Sequence, residues 1–481
     1  MTNILLESLR TWLPETILSV GALAVILVGV WSKRSAPALM TVALTIAAAA
    51  VALWRSPVPP DASPFFGLIA CDQFSLVFRW LSLGVLALVA LLISGSREVD
   101  ERLRGEYLGL LLFIGVGMML MAEATHLLMA YVAMELVSLS SYMLVAFLND
   151  RRSSEAALKY LLYGALSSGV MLFGLSLLFG LTGHLSFAGI LDSIRTLPSD
   201  QQAALLMVFA LLLTGLAFKI SMVPFHMWTP DAYEGAPIPV AALLSVGPKA
   251  AGLALLIRLS QALSPAWPLL QPLVIGLTIL TMTLGNLVAL VQTNVKRLLA
   301  YSTIGQVGYL LIGFAVNNQQ GIDGLLFYLI AYAFMNLGAF TCVVSVVEDA
   351  GSESLDAFRG LSRRSPALAL VFALFLLSLA GIPPLLGFFG KFLLLGAAMQ
   401  AQQGWLAIAA ILNSAIALYY YVNLIRLIYL ATPARGDALR VPTPWPTGIA
   451  LGICAAGTLV VGLYPGPLLK LLQTVSVPNL L

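Results

Sequence analysis

Ionisable side chains inside apolar stretches are the residues of this 481-residue chain best suited to chemistry. Lys219 and Lys249 each follow a long apolar run, Lys159 and Lys391 lie within two others, and Glu135 is the one firm acid in such a position. A charged side chain at the centre of a bilayer costs about 2.5–3.5 kcal/mol even on the most lenient scale. Side chains this costly are typical of sites that move or hold an ion.

Glu135 and Lys219 form the first predicted functional pair. Glu135 lies about nine residues into its apolar stretch, which is roughly 13 Å at 1.5 Å per residue. We expect Lys219 to face it, because an opposite charge within about 4–6 Å favours the charged form of both groups. A contact that only holds two helices together explains a single pair equally well. One glutamate neutralises at most one lysine, however, so a proton relay through Glu135, Lys219, Lys249 and Lys391 is the preferred interpretation.

Two other basic residues, Lys159 and His226, admit two interpretations each. Lys159 is either a further relay group or a lysine that extends its ammonium to the cytoplasmic surface, as Arg426 is expected to do. His226 either passes protons between Lys219 and the inner loop or stabilises backbone carbonyls freed by a helix break. Buried polar groups are predicted to hydrate a water path or to hydrogen-bond between helices: Ser138, Ser141, Asn286, Ser302, Gln306, Tyr309, Asn336 and Tyr420.

Prolines interrupt two of the apolar stretches that position these groups. Pro224 follows Lys219, and the pair Pro383–Pro384 precedes Lys391. Proline lacks the amide hydrogen that a helix interior needs, so both stretches are predicted to be broken helices. Paired broken helices are the best sequence indication of a transport site in a membrane protein.

The composition places all of these elements in a membrane. Hydrophobic residues make up 60% of the chain and charged residues 10%, against about 25% charged in soluble domains. The predicted fold is an all-α polytopic membrane protein, because stretches of 17–25 apolar residues recur along its length. We predict fourteen spans, at about 14–31, 38–54, 73–94, 105–122, 126–148, 156–181, 203–222, 237–260, 268–291, 298–315, 322–347, 366–398, 405–430 and 447–469.

Basic residues in the loops predict the orientation. Fourteen Lys and Arg residues fall in odd-numbered loops, and five fall at the termini or in even-numbered loops. The excess marks the cytoplasmic side. We therefore expect a multi-pass protein of the bacterial inner membrane with both termini in the periplasm.

Spans four to eight and nine to thirteen can be laid over each other. The fourth span of each set is interrupted by proline and has a lysine, Lys219 or Lys391. Five spans are an odd number, so the second set enters the membrane from the opposite side, as an inverted repeat does. The predicted units are a three-helix segment (1–104), two five-helix repeats (105–262 and 263–431) and a last helix (432–481).

The sequence argues against redox and nucleotide chemistry in this chain. Cys71, Cys342 and Cys454 are far apart and lack metal-site spacing. No glycine-rich nucleotide loop is present. We expect no bound cofactor, no metal and no nucleic acid, and we expect membrane lipids and protons as partners.

Four segments together resemble the antiporter-like membrane subunits of respiratory complex I. They are KISMVPFHMWTPDAYEGAPIPVAALLSVGPKAAG (219–252), EAALKYLLYGALSSG (155–169), VKRLLAYSTIGQVGYLLIG (295–313) and LLSLAGIPPLLGFFGKF (376–392). Within that family the chain is most similar to the subunit N group of NADH:quinone oxidoreductase. The corresponding membrane subunit of the plastidial and cyanobacterial ferredoxin-using NDH complex is similarly close.

The resemblance implies a role for each matching residue. Glu135 and Lys219 would be the family's glutamate–lysine pair, Lys249 its connecting lysine, Lys391 its terminal lysine and Lys159 a further family lysine. It also implies a proton-translocating subunit, with NADH, FMN, iron–sulfur clusters and quinone bound by other subunits and other antiporter-like subunits as neighbours. Two other functions remain open, namely a subunit of a multi-subunit Na⁺/H⁺ antiporter and a structural membrane scaffold.

Overall fold

The computed structural model describes residues 8–32, 35–56, 64–198, 201–432 and 440–475. These residues form helices joined by short loops, and the only β pairing among them is three isolated bridges. The helices are α1 (Leu13–Ser32), α2 (Ser35–Arg55), α3 (Gln73–Gly95), α4 (Arg104–Glu123), α5 (Leu127–Val145), α6 (Arg151–Thr182), α7 (Phe187–Arg195), α8 (Gln202–Ile220), α9 (Trp228–Gly235), α10 (Ile238–Ala262), α11 (Trp267–Ala289), α12 (Val295–Val316), α13 (Gln319–Ala350), α14 (Pro366–Ala380), α15 (Leu386–Gln400), α16 (Gly404–Leu430), α17 (Trp445–Leu463) and α18 (Gly466–Gln473).

Thirteen helices among the described residues are long and apolar enough to cross a membrane. The shorter apolar helices α14 and α15 together occupy the predicted twelfth span. The prediction of an all-α polytopic membrane protein is therefore confirmed. The predicted last span extends too far, because α17 ends at Leu463 and α18 is a separate helix after Pro465. Three of the basic residues used to predict orientation lie outside the described residues: Lys33, Arg34 and Arg435.

Both predicted helix breaks are present. The helix α8 ends at Ile220 and is followed by Ser221 in the left-handed region at φ 63°. The helix α14 ends at Ala380 and is followed by Gly381 at φ 91°. The same backbone hydrogen bond ends both helices. The amide of Met222 donates to the Ala217 carbonyl (2.8 Å), and the amide of Ile382 donates to the Leu377 carbonyl (3.1 Å). The chain then resumes as α9 and α15.

Helices α10, α12 and α13 form the interior of the bundle. Every residue of the apolar window of α10 is buried, and burial in α12 and α13 reaches 94% and 89% of their windows. These three helices are thus surrounded by protein, whereas only 33% of the α16 window is buried. Polar side chains on the interior helices face other protein groups instead of lipid.

Small residues let neighbouring helices approach closely. A Cβ atom added to Gly285 of α11 would lie 2.5 Å from the amide nitrogen of Gly305 in α12. At Gly29 of α1 it would lie 2.5 Å from the Cα atom of Gly105 in α4. Helix packing through glycine is common in membranes, where lipid tails remove the hydrophobic driving force between helices.

The two five-helix sets share local features. The helices α6 and α13 both contain 32 residues and end at a left-handed glycine, Gly183 or Gly351. An antiparallel bridge follows in each set, pairing His126 with Ser186 and Asn294 with Ser354. The inverted relation between the sets, and the unit boundaries drawn from it, stay predictions.

Candidate functional site

Lys219 lies in the last turn of α8 and is 1% exposed. Its Nζ atom donates a hydrogen bond of 2.8 Å to Oγ of Ser138 on α5. The Ser138 hydroxyl in turn donates to the Met134 carbonyl at 2.8 Å. The hydroxyl proton is therefore used within α5, and the oxygen lone pair is directed at the lysine.

Glu135 has a hydrogen-bond partner on a neighbouring helix. Its carboxylate accepts a short hydrogen bond from Ser168 of α6, and no ion pair among the described residues joins it to a lysine. Ser138 lies three residues after Glu135 and hence on the same face of α5. The acceptor that α5 offers Lys219 is thus Ser138, and the pairing of Glu135 with Lys219 at about 4–6 Å stays a prediction.

Lys249 lies in the middle of α10 and is 1% exposed. It donates a short hydrogen bond to Ser221, the residue that terminates α8. Ser221 also accepts a bond of 2.6 Å from Thr229. The ammonium lies 5.2 Å from the ring centre of Trp228 and 5.9 Å from that of Tyr233, where the aromatic faces attract a cation. The first break thus brings Lys249 to Ser221, two residues after Lys219 in the chain.

Four buried polar side chains form a row from α10 through α13 to α12. Asn336 donates a hydrogen bond of 2.5 Å to Ser245, which lies one turn before Lys249 on α10. One turn before Asn336 on α13, Tyr332 donates to Thr303 of α12 at 2.9 Å. All four polar side chains are fully buried. This row connects the first helix set to the second through the interior helices.

Lys391 lies on α15, just beyond the second break, and is 6% exposed. It donates to the carbonyls of Leu379 (3.1 Å) and Ala380 (3.2 Å), the last two residues of α14. Free carbonyls at a helix C-terminus form the negative end of the helix dipole, which stabilises a cation there. The ammonium also lies 4.2 Å from the ring centre of Tyr309.

Uncharged polar groups surround Lys391. Gln306 donates to the same Leu379 carbonyl (3.1 Å) and to the Tyr421 hydroxyl (3.2 Å), and it accepts a short bond from Tyr328. Further hydrogen bonds join Asn286, Ser302, Tyr309, Asn413, Ser414 and Tyr420 to this network. Most of the polar residues singled out in the sequence thus lie either near Lys219 and Lys249 or in the network around Lys391.

His226 and Arg426 differ in burial. The side chain of His226 is 7% exposed, and its Nδ1 atom has no hydrogen-bond partner. Both interpretations of His226 therefore stay open. Arg426 is exposed and donates to Asn423 at 3.0 Å, as expected for an arginine that extends to the surface.

Lys159 lies at the end of the bundle where α6 begins. Its side chain is 43% exposed and forms ion pairs with Glu155 (2.9 Å) and Asp231 (3.2 Å). The lysine therefore reaches the surface, as the second interpretation of its position expected. It belongs to a charged cluster that also contains Arg152, Glu234, Lys296, Arg297 and Glu353.

A carboxylate from the three-helix segment borders this charged cluster. Glu98 accepts a hydrogen bond of 2.7 Å from the amide of Ile238, the first residue of α10. Burial raises the pKa of Glu98 to about 7, although Lys296 and the Ile238 amide oppose the change. Burial also opposes ionisation of Glu353, but Lys296 and the neighbouring hydrogen bonds hold its pKa below the ordinary value.

Two buried arginines were missed by the sequence reasoning. Arg79 of α3 is 2% exposed and lies between Glu15 and Glu123, both of which are 0% exposed. Arg258 of α10 is 5% exposed and pairs with Asp72 at 2.7 Å. Arg79 lies only six residues inside its span, and its isolation in an apolar stretch was the available signal.

A row of buried lysines with hydroxyl, amide and phenol groups near them, beside two broken membrane helices, can bind and pass protons. The fold and the site together define an antiporter-like membrane subunit.

Comparisons with known proteins agree with this class. Residues 124–417 match the family described as NADH:quinone oxidoreductase/Mrp antiporter, TM. NADH-quinone oxidoreductase subunit N of an Anaeromyxobacter species is 41% identical, and the match covers 96% of each chain. NAD(P)H-quinone oxidoreductase subunit 2 of Thermosynechococcus vestitus is also 41% identical, over 98% of this chain and 94% of the relative. A chain in respiratory complex I from Thermus thermophilus has a TM-score of 0.80 and 33% identity, over 95% of this chain and 98% of the other.

The chain belongs to the family of antiporter-like membrane subunits of NADH:quinone oxidoreductase.

Proposed function

We propose that the chain translocates protons as a membrane subunit of a complex I-type NAD(P)H- or ferredoxin-oxidising quinone oxidoreductase. Quinone reduction takes place in other subunits, which hold NADH, FMN, iron–sulfur clusters and quinone. This chain holds no redox centre and converts the released free energy into proton movement along Glu135, Lys219, Lys249 and Lys391. Its neighbours are other antiporter-like membrane subunits and lipids.

The burial of three lysines without a direct ion pair is the observation that carries this proposal. Lys219, Lys249 and Lys391 bond to hydroxyls or carbonyls, and none belongs to an ion pair among the described residues. A buried ammonium without an ion pair is costly. Each of these lysines can therefore release its proton to a neighbouring group and take it up again. A structural staple would use paired charges, as Arg79 and Glu15 do in this chain.

The proposed cycle begins when neighbouring subunits change the potential at Glu135. Because Ser138 lies on the same face of α5 as Glu135 and accepts the hydrogen bond from Lys219, the change acts through the orientation and spacing of α5 as well as by direct attraction. The proton then passes by Ser221 to Lys249, and along the interior polar row toward Lys391. Moving one charge costs about 2.3 kcal/mol per 100 mV, and a hydrogen bond to a charged group contributes about 1.5–3 kcal/mol. The energy of one such hydrogen bond is therefore comparable to the cost of moving one charge against 100 mV.

The second candidate is a subunit of a cation/proton antiporter, which the family's description includes. Sodium sites use several oxygen ligands, commonly carboxylates. Glu135 alone supplies a carboxylate beside the buried lysines of the described residues, so proton transfer is favoured. Sodium-independent pumping by the purified complex would agree with this choice, and an obligatory sodium flux would contradict it.

Replacing Lys219 with alanine tests the proposal. In the assembled complex, K219A is expected to lower proton pumping per quinone reduced at least tenfold, with K219R less affected. K470A is a matched control, since Lys470 lies exposed on α18. Unchanged pumping in K219A would refute the relay, and failed assembly of both Lys219 variants would favour a scaffold.

The proposed location is the bacterial inner membrane, with both termini on the periplasmic side. The unit boundaries proposed are 1–104, 105–262, 263–431 and 432–481. The charged cluster around Arg152 and Glu234 would then face the cytoplasm, in agreement with the excess of basic loop residues. Alkaline phosphatase fused to the C-terminus should be active in cells, and an inactive fusion would reverse the assignment.

A further inference from the structure

A second group of buried charges lies at the opposite end of the bundle from the charged cluster. There Arg79 of α3 donates to both carboxylate oxygens of Glu15 from Nε and Nη2, each at 2.6 Å. Its Nη2 atom also donates to the Thr11 carbonyl at 3.0 Å. This fork-shaped pairing is the strongest arrangement available to an arginine and a carboxylate. Glu15 alone therefore neutralises Arg79.

Glu123, the last residue of α4, adds a second carboxylate to the same guanidinium. Its Oε1 atom lies 2.9 Å from Arg79 Nε, but that N–H is already directed at Glu15. Neither oxygen of Glu123 accepts a hydrogen bond from any of the described residues, although Glu123 is 0% exposed. A buried carboxylate without donors is strongly disfavoured.

The neighbouring charges do not supply the missing cation. Arg258 of α10 pairs with Asp72 at 2.7 Å and donates a second, short bond to the Ala122 carbonyl. The charged groups here are thus the carboxylates of Glu15, Glu123 and Asp72 and the guanidinium groups of Arg79 and Arg258. The buried thiol of Cys71 lies beside them. One negative charge is in excess, and two carboxylates sharing one site do not both ionise readily.

We propose that Glu15 and Glu123 together hold one proton, so that Glu15, Arg79 and Glu123 form a proton-binding site separate from the lysine series. The proton resides on Glu123, whose carboxyl O–H then donates to the Glu15 carboxylate, while Arg79 holds Glu15 ionised. The ligand of this site is a proton and no metal is needed. The proposal stands on this geometry and does not depend on proton translocation by the lysines.

A pocket lies near the site. The pocket has a volume of about 410 Å³ and is lined by Asp72, Arg258, Thr125, Ser186 and Gln261, among others. Asp72 is 26% exposed and bonds Arg258. Arg258 in turn reaches the carbonyl of the residue directly before Glu123. The hydrogen bonds of Asp72 and Arg258 therefore connect this pocket to the backbone beside the site.

Glutamine variants test the charge count in the complete complex. Glutamine copies the shape of a protonated carboxyl, so E123Q and E15Q are each expected to assemble within twofold of the wild-type yield. The double variant E15Q/E123Q leaves Arg79 unpaired and is expected to lower the yield of assembled complex at least tenfold. R79M is expected to lower it equally, because it leaves a carboxylate unpaired. D192N is the control, because Asp192 is an exposed acid with a weak ion pair. Failure of both single variants, or full assembly of the double variant, would overturn the proposal.

Infrared spectroscopy tests the proton itself. The purified wild-type complex is expected to show the carbonyl stretch of one protonated carboxyl that is lost in E123Q and kept in D192N. Raising the pH should remove the same band from the wild type. Identical carboxyl bands in E123Q and wild type at every pH would show that Glu123 has no proton.

Discussion

Ser138 is the sole hydrogen-bond acceptor that the structure gives Lys219, at 2.8 Å. Replacing it with alanine removes one hydrogen bond to a charged group, which contributes about 1.5–3 kcal/mol. Each 1.4 kcal/mol is a factor of ten in an equilibrium constant. S138A should therefore disfavour the ammonium form of Lys219 about tenfold to 150-fold. The buried site offers no solvent in compensation, since Lys219 is 1% exposed.

Proton pumping by the reconstituted complex measures this effect. The pH profile of pumping per quinone reduced should move down by about one to two pH units in S138A, because lower pH restores the ammonium. S138T keeps the hydroxyl and should pump at nearly the wild-type level. Ser141 provides a matched control, since its hydroxyl donates to the Val137 carbonyl of its own helix and not to a buried lysine of the described residues.

An unchanged pH profile in S138A would refute the assigned contact between α5 and α8. An equal shift in S141A would show that any lost hydroxyl in α5 has the same effect. Either result would remove Ser138 from the relay, while K219A would still decide whether the relay exists.

Two further predictions follow from packing and charge. Because burial raises the pKa of Glu98 from 4.5 to about 7, its stabilising effect is complete below about pH 4.5 and is lost as the pH rises through 7. E98Q should remove on the order of 3 kcal/mol of this pH dependence, measured by thermal unfolding at about pH 5 and about pH 8; an unaltered pH dependence would contradict it. At Gly387 an added Cβ would lie 1.9 Å from the Ser378 carbonyl, whereas Gly396 has open space. G387A should cost about 1–3 kcal/mol by overpacking and displace Lys391, while G396A should not, and equal thermal stability of the two variants would contradict the packing.

The sequence alone predicted the class of fold and the positions of the key charges, because these depend on local composition. Long apolar stretches determine membrane spans through the thickness of the bilayer. Pro224 and Pro383–Pro384 determine where two helices end, because a missing amide hydrogen acts within one turn. Lys219, Lys249 and Lys391 were recognisable because charges are rare in such stretches.

Only the tertiary structure decided which groups meet, because the partners come from distant parts of the chain. Ser138 and Lys219 are 81 residues apart, and the Glu15–Arg79 pair spans 64 residues. A span has several faces, and its rotation is set by packing against neighbouring helices. The sequence therefore predicted that Lys219 faces Glu135, but it could not show that the orientation of α5 presents Ser138 as the hydrogen-bond acceptor. The same packing turns Arg79, which was overlooked in its apolar stretch, toward the two buried carboxylates at the other end of the bundle.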